Sequence, residues 1–366
     1  MSDPVGLGIV GTGDILDQFM ETFAPSDEVD VRFLAGRDVA RAAERAAQFG
    51  VPAHGTYDEL LADPTVGLVV NLTVPQAHYE LTRAALVSGR HVWSEKPLAV
   101  SMDEGRELVE LAEQHEVRLG CAPDTFLGPG LQTGLALIEA GRIGIPRSAH
   151  ARFQYCGPDY WHPNPSFFFA HGGGPLLDMG PYYLTALVQA LGPIARVTAV
   201  ADRARDVRVV AMGSHAAEAI PVEVPTHVLA IYTFASGAIA DFSISFDTAL
   251  FASELEISGT EGSIRLPDPN RFDGDTIVFP FSIEQTSDVV SPGTTGGSGR
   301  GSGIVDMVRA IRDGGPHRTD GRLALHVLDV MMSTIQSADT GLPVVVESRC
   351  TPASLLPSGW TAGAPE

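Results

Sequence analysis

His91-Val92-Trp93-Ser94-Glu95-Lys96-Pro97 is the stretch on which the reading of the fold turns. A short strand, His91-Val92-Trp93, delivers a Glu-Lys pair, and a proline closes it. Lysine at the carboxyl end of a parallel strand points into the crevice where open α/β sheets bind ligands. Pro97 fixes its own φ and restricts the residue before it, so Lys96 is aimed. Taken alone, the tripeptide is an ordinary surface Lys-Pro turn. Its surroundings decide otherwise.

Upstream, Val5-Gly6-Leu7-Gly8-Ile9-Val10 reads as a buried parallel strand running into Gly11-Thr12-Gly13-Asp14. Ile15, Leu16, Phe19, Met20 and Phe23 then fall on one helical face. A strand, a glycine turn and a helix N-terminus form an anion site, because backbone N–H groups and the helix dipole meet there. Gly11, Thr12, Gly13, Asp14 and Ile15 are the expected cofactor contacts. The turn by itself is equally an ordinary tight turn. Leu16 stands where a third glycine is usual, and Asp14 lies near the expected phosphate, where it also reads as a capping residue.

The next strand, Val29 to Ala35, ends in Gly36-Arg37-Asp38. An acid at this place holds a ribose 2′-hydroxyl, whereas an arginine accommodates a 2′-phosphate. Arg37 therefore points to NADP over NAD; its alternative role is a solvated arginine at a helix start. Asp38 reads as the cap of a helix from Val39 to Phe49. A third strand, Val66 to Thr73, leads to Val74-Pro75-Gln76-Ala77-His78. Thr73, Pro75, His78 and Glu95 are placed beside the cofactor with Lys96, although a lone histidine there is otherwise a helix-start residue. A helix from Tyr79 to Ser88 follows. Ser101 to Glu116 forms another helix, with Ser101 as cap and Glu104 three residues on. The alternation β-α-β-α-β over residues 1–122 is that of a doubly wound sheet.

Residues 123–366 change character. Strands at 148–155, 196–201, 228–234, 238–246, 255–258, 263–266 and 276–281 outnumber helices. Ser236-Gly237 turns one hairpin. The pattern predicts a largely antiparallel open sheet, with helices at 131–140, 304–313 and 323–338 and an edge strand at 344–346. Residues 294–303 are low-complexity and read as a loop. Gly172-Gly173-Gly174 leads into a single helix reaching about Leu191. Asp178, Tyr182 and Thr185 would share one face of it. A carboxylate, a phenol and a hydroxyl together suit a polyhydroxylated molecule and a moving proton; equally, the pattern fits a capping aspartate and a buried tyrosine.

Bulk composition narrows the partners. Acidic residues number 45 against 24 basic, a formal charge of −21 across 366 residues. Such a surface disfavours nucleic acid and anionic membrane. Three cysteines, Cys121, Cys156 and Cys350, show no metal spacing and no disulfide framework. The N-terminus lacks a signal-peptide pattern, and no apolar run approaches the roughly 18 residues of a membrane span. The expectation is a soluble cytoplasmic protein.

The ordered set Gly11-x-Gly13, Pro75-Gln76-Ala77-His78, Gly89-Arg90-His91-Val92 with Glu95-Lys96-Pro97, and a glycine run into Asp178-x-Gly180 resembles the Gfo/Idh/MocA family of nicotinamide-dependent oxidoreductases. The resemblance covers roughly residues 5–345. It implies a Rossmann domain followed by an α+β substrate domain whose open sheet mediates homodimers or homotetramers. The family pattern is often Asp-x-Gly-x-His-x-x-Asp; here Tyr182 replaces the histidine and Thr185 the last aspartate. That departure resembles the glucose-fructose oxidoreductase and dihydrodiol dehydrogenase branch, which tends to use NADP.

The resemblance implies hydride transfer at a secondary alcohol or ketone of a sugar, polyol or related cyclic compound. Tyr182 would move the proton, aided by the Lys96 ammonium, which favours a phenolate. Asp178 would hold a neighbouring hydroxyl, and Trp161 and His162 would line the sugar pocket. No metal is expected. Two other readings remain: a nucleotide-binding regulator without turnover, and redox-assisted sugar elimination or glycoside cleavage with a recycled cofactor.

Overall fold

The computed structural model of the protein describes residues 5–284, 286–292 and 298–363. They fall into two compact units, Met1–Gly128 with Gly293–Leu325 and Leu356–Glu366, and Pro129–Pro292 with His326–Leu355.

The first unit runs β1 (Val5–Val10), α1 (Ile15–Phe23), β2 (Val29–Ala35), α2 (Val39–Phe49), β3 (Ala53–Gly55), α3 (Tyr57–Ala62), β4 (Leu68–Asn71), α4 (Pro75–Val87), β5 (His91–Ser94), α5 (Met102–Gln114) and β6 (Leu119–Cys121). The sheet order is β3-β2-β1-β4-β5-β6, with every neighbouring pair parallel. This is the Rossmann order, in which the winding reverses between β1 and β4. The strands are apolar without a break because both faces are covered. Leu7, Ile9, Leu68 and Val70 join one core cluster with Leu16 and Phe19. Val10, Val69 and Val92 join another with Leu86 and Leu108.

The second unit opens with α6 (Pro129–Glu139), β7 (Pro146–Gln154), α7 (Gly174–Asp178), α8 (Gly180–Leu191), β8 (Ile194–Asp202), β9 (Val207–Val209) and β10 (Ala219–Pro221). It continues through β11 (His227–Phe234), β12 (Ile239–Ser245), β13 (Ala252–Gly259), β14 (Gly262–Leu266), β15 (Thr276–Pro280) and β16 (Asp288–Val290). Then α9 (Ser302–Asp313) returns to the first unit, α10 (Gly321–Thr340) begins there and ends in the second, and β17 (Val344–Val345) finishes the sheet. Nine strands stand in the order β16-β15-β14-β13-β7-β12-β11-β8-β17, antiparallel except for β12 beside β7. The expected open, mostly antiparallel sheet is present, with β17 at its edge. β11 and β12 alternate buried and outward residues, as a sheet covered on one face requires.

Three expectations change. The single helix from the glycine run to Leu191 is two helices, broken at Met179 (φ −104°, ψ −22°). Pro181 has no N–H for the Leu177 carbonyl, and the Tyr182 N–H turns to the Met179 carbonyl at 3.2 Å. Asp178 therefore ends α7, while Tyr182 sits in the first turn of α8. The loop expected at 294–303 ends in the first turn of α9; residues 293–297 lie outside the described residues. A single cut after residue 122 also omits α9 and the tail. Ile304, Val305, Met307, Val308 and Ala362 are buried in the core cluster that holds Phe19 and Trp93.

Candidate cofactor and substrate sites

In the first unit, β1 ends in Gly11 at φ +112°, a conformation that favours glycine. A Cβ there would sit 2.7 Å from the Leu72 carbonyl group, so the turn after β1 closes against the chain leaving β4. Gly13 differs: a Cβ on it would meet nothing within 4 Å. No neighbour in the chain requires glycine at that position, and the open space suits the backbone approach of a phosphate. Helix α1 starts with no side-chain cap. Asp14, read as a possible cap, is fully exposed and lies 3.8 Å from Arg41. Ile15 is the first residue of α1 and Thr12 the residue between the glycines. Uncapped N–H groups beside a glycine with room around it fit a dinucleotide pyrophosphate.

Leu16, in the place of a third glycine, is fully buried in the core instead. Asp38 caps α2 by accepting the Arg41 N–H at 3.0 Å, as its sequence position implies. Arg37, beside it, is exposed.

The end of β4 is organised by Asn71, which is fully buried. Its Oδ1 accepts the Thr73 hydroxyl at 2.6 Å, and its Nδ2 donates to Thr82 Oγ1 at 3.2 Å. Pro75 opens α4. His78, assigned to the cofactor from sequence, is fully buried, with its ring held by backbone. Nδ1 lies 2.7 Å from the Pro97 carbonyl oxygen and Nε2 3.0 Å from that of Thr73. The imidazole thus ties together two segments that carry candidate contacts. Burial pushes its pKa down, partly offset by those carbonyls and by Glu95.

At the end of β5, the Glu95 N–H donates to the Asn71 carbonyl at 2.8 Å, and the Lys96 N–H donates to Glu95 Oε2 at 3.1 Å. The Lys96–Pro97 peptide bond is cis. Glu95 Oε1 is buried with no partner among the described residues. Such an oxygen has acceptor capacity left for a ligand hydroxyl or amide. Lys96 is half-buried; burial lowers the His78 pKa and the lysine charge adds to that fall, whereas burial pushes the Cys121 thiol well up and the lysine charge offsets only part of the rise. The open Gly13 turn and the spare Glu95 oxygen both fit a bound nicotinamide dinucleotide.

Asp124 was not singled out from sequence, being hidden in a turn-rich link. It is buried, and its Oδ2 accepts the Gly301 and Gly303 N–H groups at 2.8 and 3.0 Å. The carboxylate therefore closes the start of α9. Burial pushes its pKa from 3.8 to about 6.

In the second unit, Trp161 and His162 share one aromatic wall with Phe168. Tyr182 is buried and Asp178 half-buried. Trp161 is 53% exposed, leaving ring area for a ligand to cover. Its ring lies 5.4 Å from that of His162 and 6.4 Å from Phe168. Tyr155, missed in the sequence, belongs with them. Its hydroxyl accepts a hydrogen bond from Trp161, and its pKa is raised by burial and then by the Asp178 carboxylate. A sugar-binding surface commonly pairs an aromatic face with polar groups that fix orientation. Among the described residues, no group of three or more His, Cys, Asp or Glu is placed to hold a metal ion.

A dinucleotide fold with this turn, joined to a second unit built on an open sheet, defines an NAD(P)-binding oxidoreductase. Residues 5–122 match the oxidoreductase family with NAD-binding Rossmann fold, and residues 131–265 match the GFO/IDH/MocA C-terminal domain. The dTDP-3,4-didehydro-2,6-dideoxy-alpha-D-glucose 3-reductase of Streptomyces antibioticus is 32% identical over 266 residues, 71% of this chain and 74% of that protein. Trans-1,2-dihydrobenzene-1,2-diol dehydrogenase of Bos taurus is 29% identical over 267 residues, 72% of this chain and 74% of that protein. The crystal structure of an NAD binding oxidoreductase from Klebsiella pneumoniae has a TM-score of 0.83 at 25% identity, covering 94% of this chain and 99% of its own. The chain belongs to the Gfo/Idh/MocA family of oxidoreductases.

Proposed function

We propose that this protein is a dehydrogenase or reductase that moves hydride between a nicotinamide dinucleotide and a secondary alcohol or ketone of a sugar, polyol or related cyclic compound. The observation that carries the reading is the Glu95-Lys96 pair at the carboxyl end of β5, in the same sheet as the glycine turn after β1. Gly11, Thr12, Gly13, Asp14 and Ile15 would hold the pyrophosphate, Arg37 a ribose 2′-phosphate, and Thr73, Pro75 and Glu95 the nicotinamide side. His78 would act through Thr73 and Pro97. The bound cofactor supplies the hydride acceptor or donor.

In the oxidising direction, Tyr182 takes the proton from the substrate hydroxyl. Lys96 would supply the ammonium that polarises the reacting oxygen. Asp178 binds a neighbouring hydroxyl, and Trp161 and His162 offer the sugar face a surface. Turnover of NADP and NAD with a panel of sugars, polyols and trans-dihydrodiols, followed at the nicotinamide absorbance, tests the reading. Tight nucleotide binding with no turnover of any panel member in either direction would sink it in favour of a sensor.

NADP is the favoured cofactor because Arg37 is exposed at the end of β2. A cytoplasmic homodimer or homotetramer is the favoured state. No helix of the described residues is long and apolar enough to cross a membrane. The outward face of the nine-stranded sheet exposes Val200, Leu229, Ile231, Ile239 and Val345. Those residues share that face because Val200 pairs with Leu229, Thr198 with Ile231, and Arg196 with Val345. Light scattering that returns a monomer at micromolar concentration would refute the oligomer.

A further inference from the structure

β9 and β10 pair only with each other, outside the nine-stranded sheet. A hairpin of two three-residue strands has little stability of its own. Val207 and Val209 are exposed, but Arg208 between them is 2% exposed and is one of the largest buried side chains of the protein. Its Nη1 donates to the Cys156 carbonyl at 2.9 Å and to the two Asp159 carboxylate oxygens at 3.1 and 3.3 Å. Its Nη2 donates to the Phe246 carbonyl at 2.7 Å and to the Asp247 carboxylate. The guanidinium also lies 5.4 Å over the Phe169 ring.

Three of those partners, Cys156, Asp159 and Phe246, border the candidate substrate wall. Cys156 follows Tyr155, and Asp159 precedes Trp161 by two residues. The Phe246 ring stands 5.3 Å from Tyr155 and 6.4 Å from Phe168, both edge-on. The loop is drawn so tightly over the guanidinium that Gly157 sits at φ +111°. A Cβ there would come within 2.6 Å of Asp159 Oδ1 and 3.0 Å of Arg208 Nη1. Only a planar fork with several donors makes all these bonds at once, which a lysine cannot. Removing one partner from a buried ion network leaves an uncompensated charge, so its members hold one another in place.

We propose that Arg208 is a positioning residue, whose buried guanidinium fixes the Tyr155–His162 segment against Phe246, Asp247 and Phe169 and so sets where Tyr155 and Trp161 stand. The link to substrate rests on the proposed dehydrogenase reading; the link to Trp161 does not. The test uses the full chain with Arg208→Lys, and Asp159→Asn as a second variant that keeps the guanidinium if the first fails to fold. Trp161 emission is isolated by subtracting a Trp161→Phe control made in each background, since Trp93 and Trp360 also emit. Acrylamide quenching of Trp161 is expected to rise, and KM for the best panel substrate to rise about tenfold with kcat within about threefold. Nucleotide Kd stays unchanged. Unaltered quenching and KM in both variants would overturn the assignment, as would a fall in kcat alone. Raised quenching with unaltered KM upholds the clamp and counts instead against the substrate wall.

Discussion

His78 Nδ1 lies 2.7 Å from the carbonyl oxygen of Pro97, the residue after Lys96. The second ring nitrogen faces the Thr73 carbonyl at 3.0 Å. One imidazole therefore joins the segment leaving β4 to the turn leaving β5, and the lysine is held between backbone supports. A neutral ring donates to one of the two carbonyls.

His78→Phe keeps the bulk and removes both polar contacts. The buried carbonyl that loses its donor costs about 1–3 kcal/mol, to be seen as a lowered Tm. Because the Lys96 turn loses a support, kcat should fall further than nucleotide affinity does. A variant that melts and turns over like the parent would make the ring a passive filler.

Lys96→Met tests the proposed chemistry directly. Methionine matches the stem and removes the ammonium. The expected result is a fall in kcat of about 10²–10⁴-fold, the range of lost proton-transfer assistance. Nucleotide binding, followed by fluorescence titration, should remain measurable because the glycine turn is untouched. Full activity in this variant would defeat the assignment.

Arg37 is exposed at the end of β2 while Asp38 spends its carboxylate on the α2 cap. Asp38 is turned to the helix cap through Oδ1, and the arginine beside it can pair with a 2′-phosphate. Arg37→Ala is expected to weaken NADPH about tenfold and NADH hardly at all, with an ion-pair contribution near 1.4 kcal/mol. A parent protein that prefers NADH would refute the role given to this residue.

What could be read from the sequence was whatever repeats within a few residues. Parallel strands buried on both faces show as unbroken apolar runs, so β1, β2 and β4 were visible. Asp38 and Ser101 were visible as caps, and Ser101 accepts the Glu104 N–H at 3.4 Å. The Glu104 carboxylate, however, takes the Val100 N–H. β3 and α3 are too short for periodicity to speak, although Thr56 and Glu59 form a reciprocal cap there. The break at Met179 had a local sign in Pro181 that the glycine run overshadowed. Arg208 and Asp159 are 49 residues apart, and Asp124 lies 177 residues from Gly301. No local pattern brings such partners together. The apolar face of α9 marks a helix without saying which sheet receives it.

Two buried groups should shape stability in opposite directions over nearly the same pH range. Burial raises Asp124 from 3.8 to about 6 and lowers His326 from 6.5 to about 4. His326 is fully buried, its Nε2 accepting the Ile194 N–H at 3.0 Å, so the neutral ring belongs to the fold. Asp124 contributes stability below pH 4 that is lost as pH rises through 6, because the unfolded chain gives up this proton first. His326 contributes stability above pH 6.5 that is lost as pH falls through 4, because the unfolded chain takes up the proton first. Each swing is worth about 3 kcal/mol at ~1.4 kcal/mol per pH unit, so the parent protein partly hides both. Calorimetry of Asp124→Asn and His326→Gln separates them. Relative to the parent, Asp124→Asn should gain stability from pH 4 to 6, and His326→Gln should gain as pH falls from 6.5 to 4. Parallel pH profiles for parent and variants would show that neither group titrates with folding.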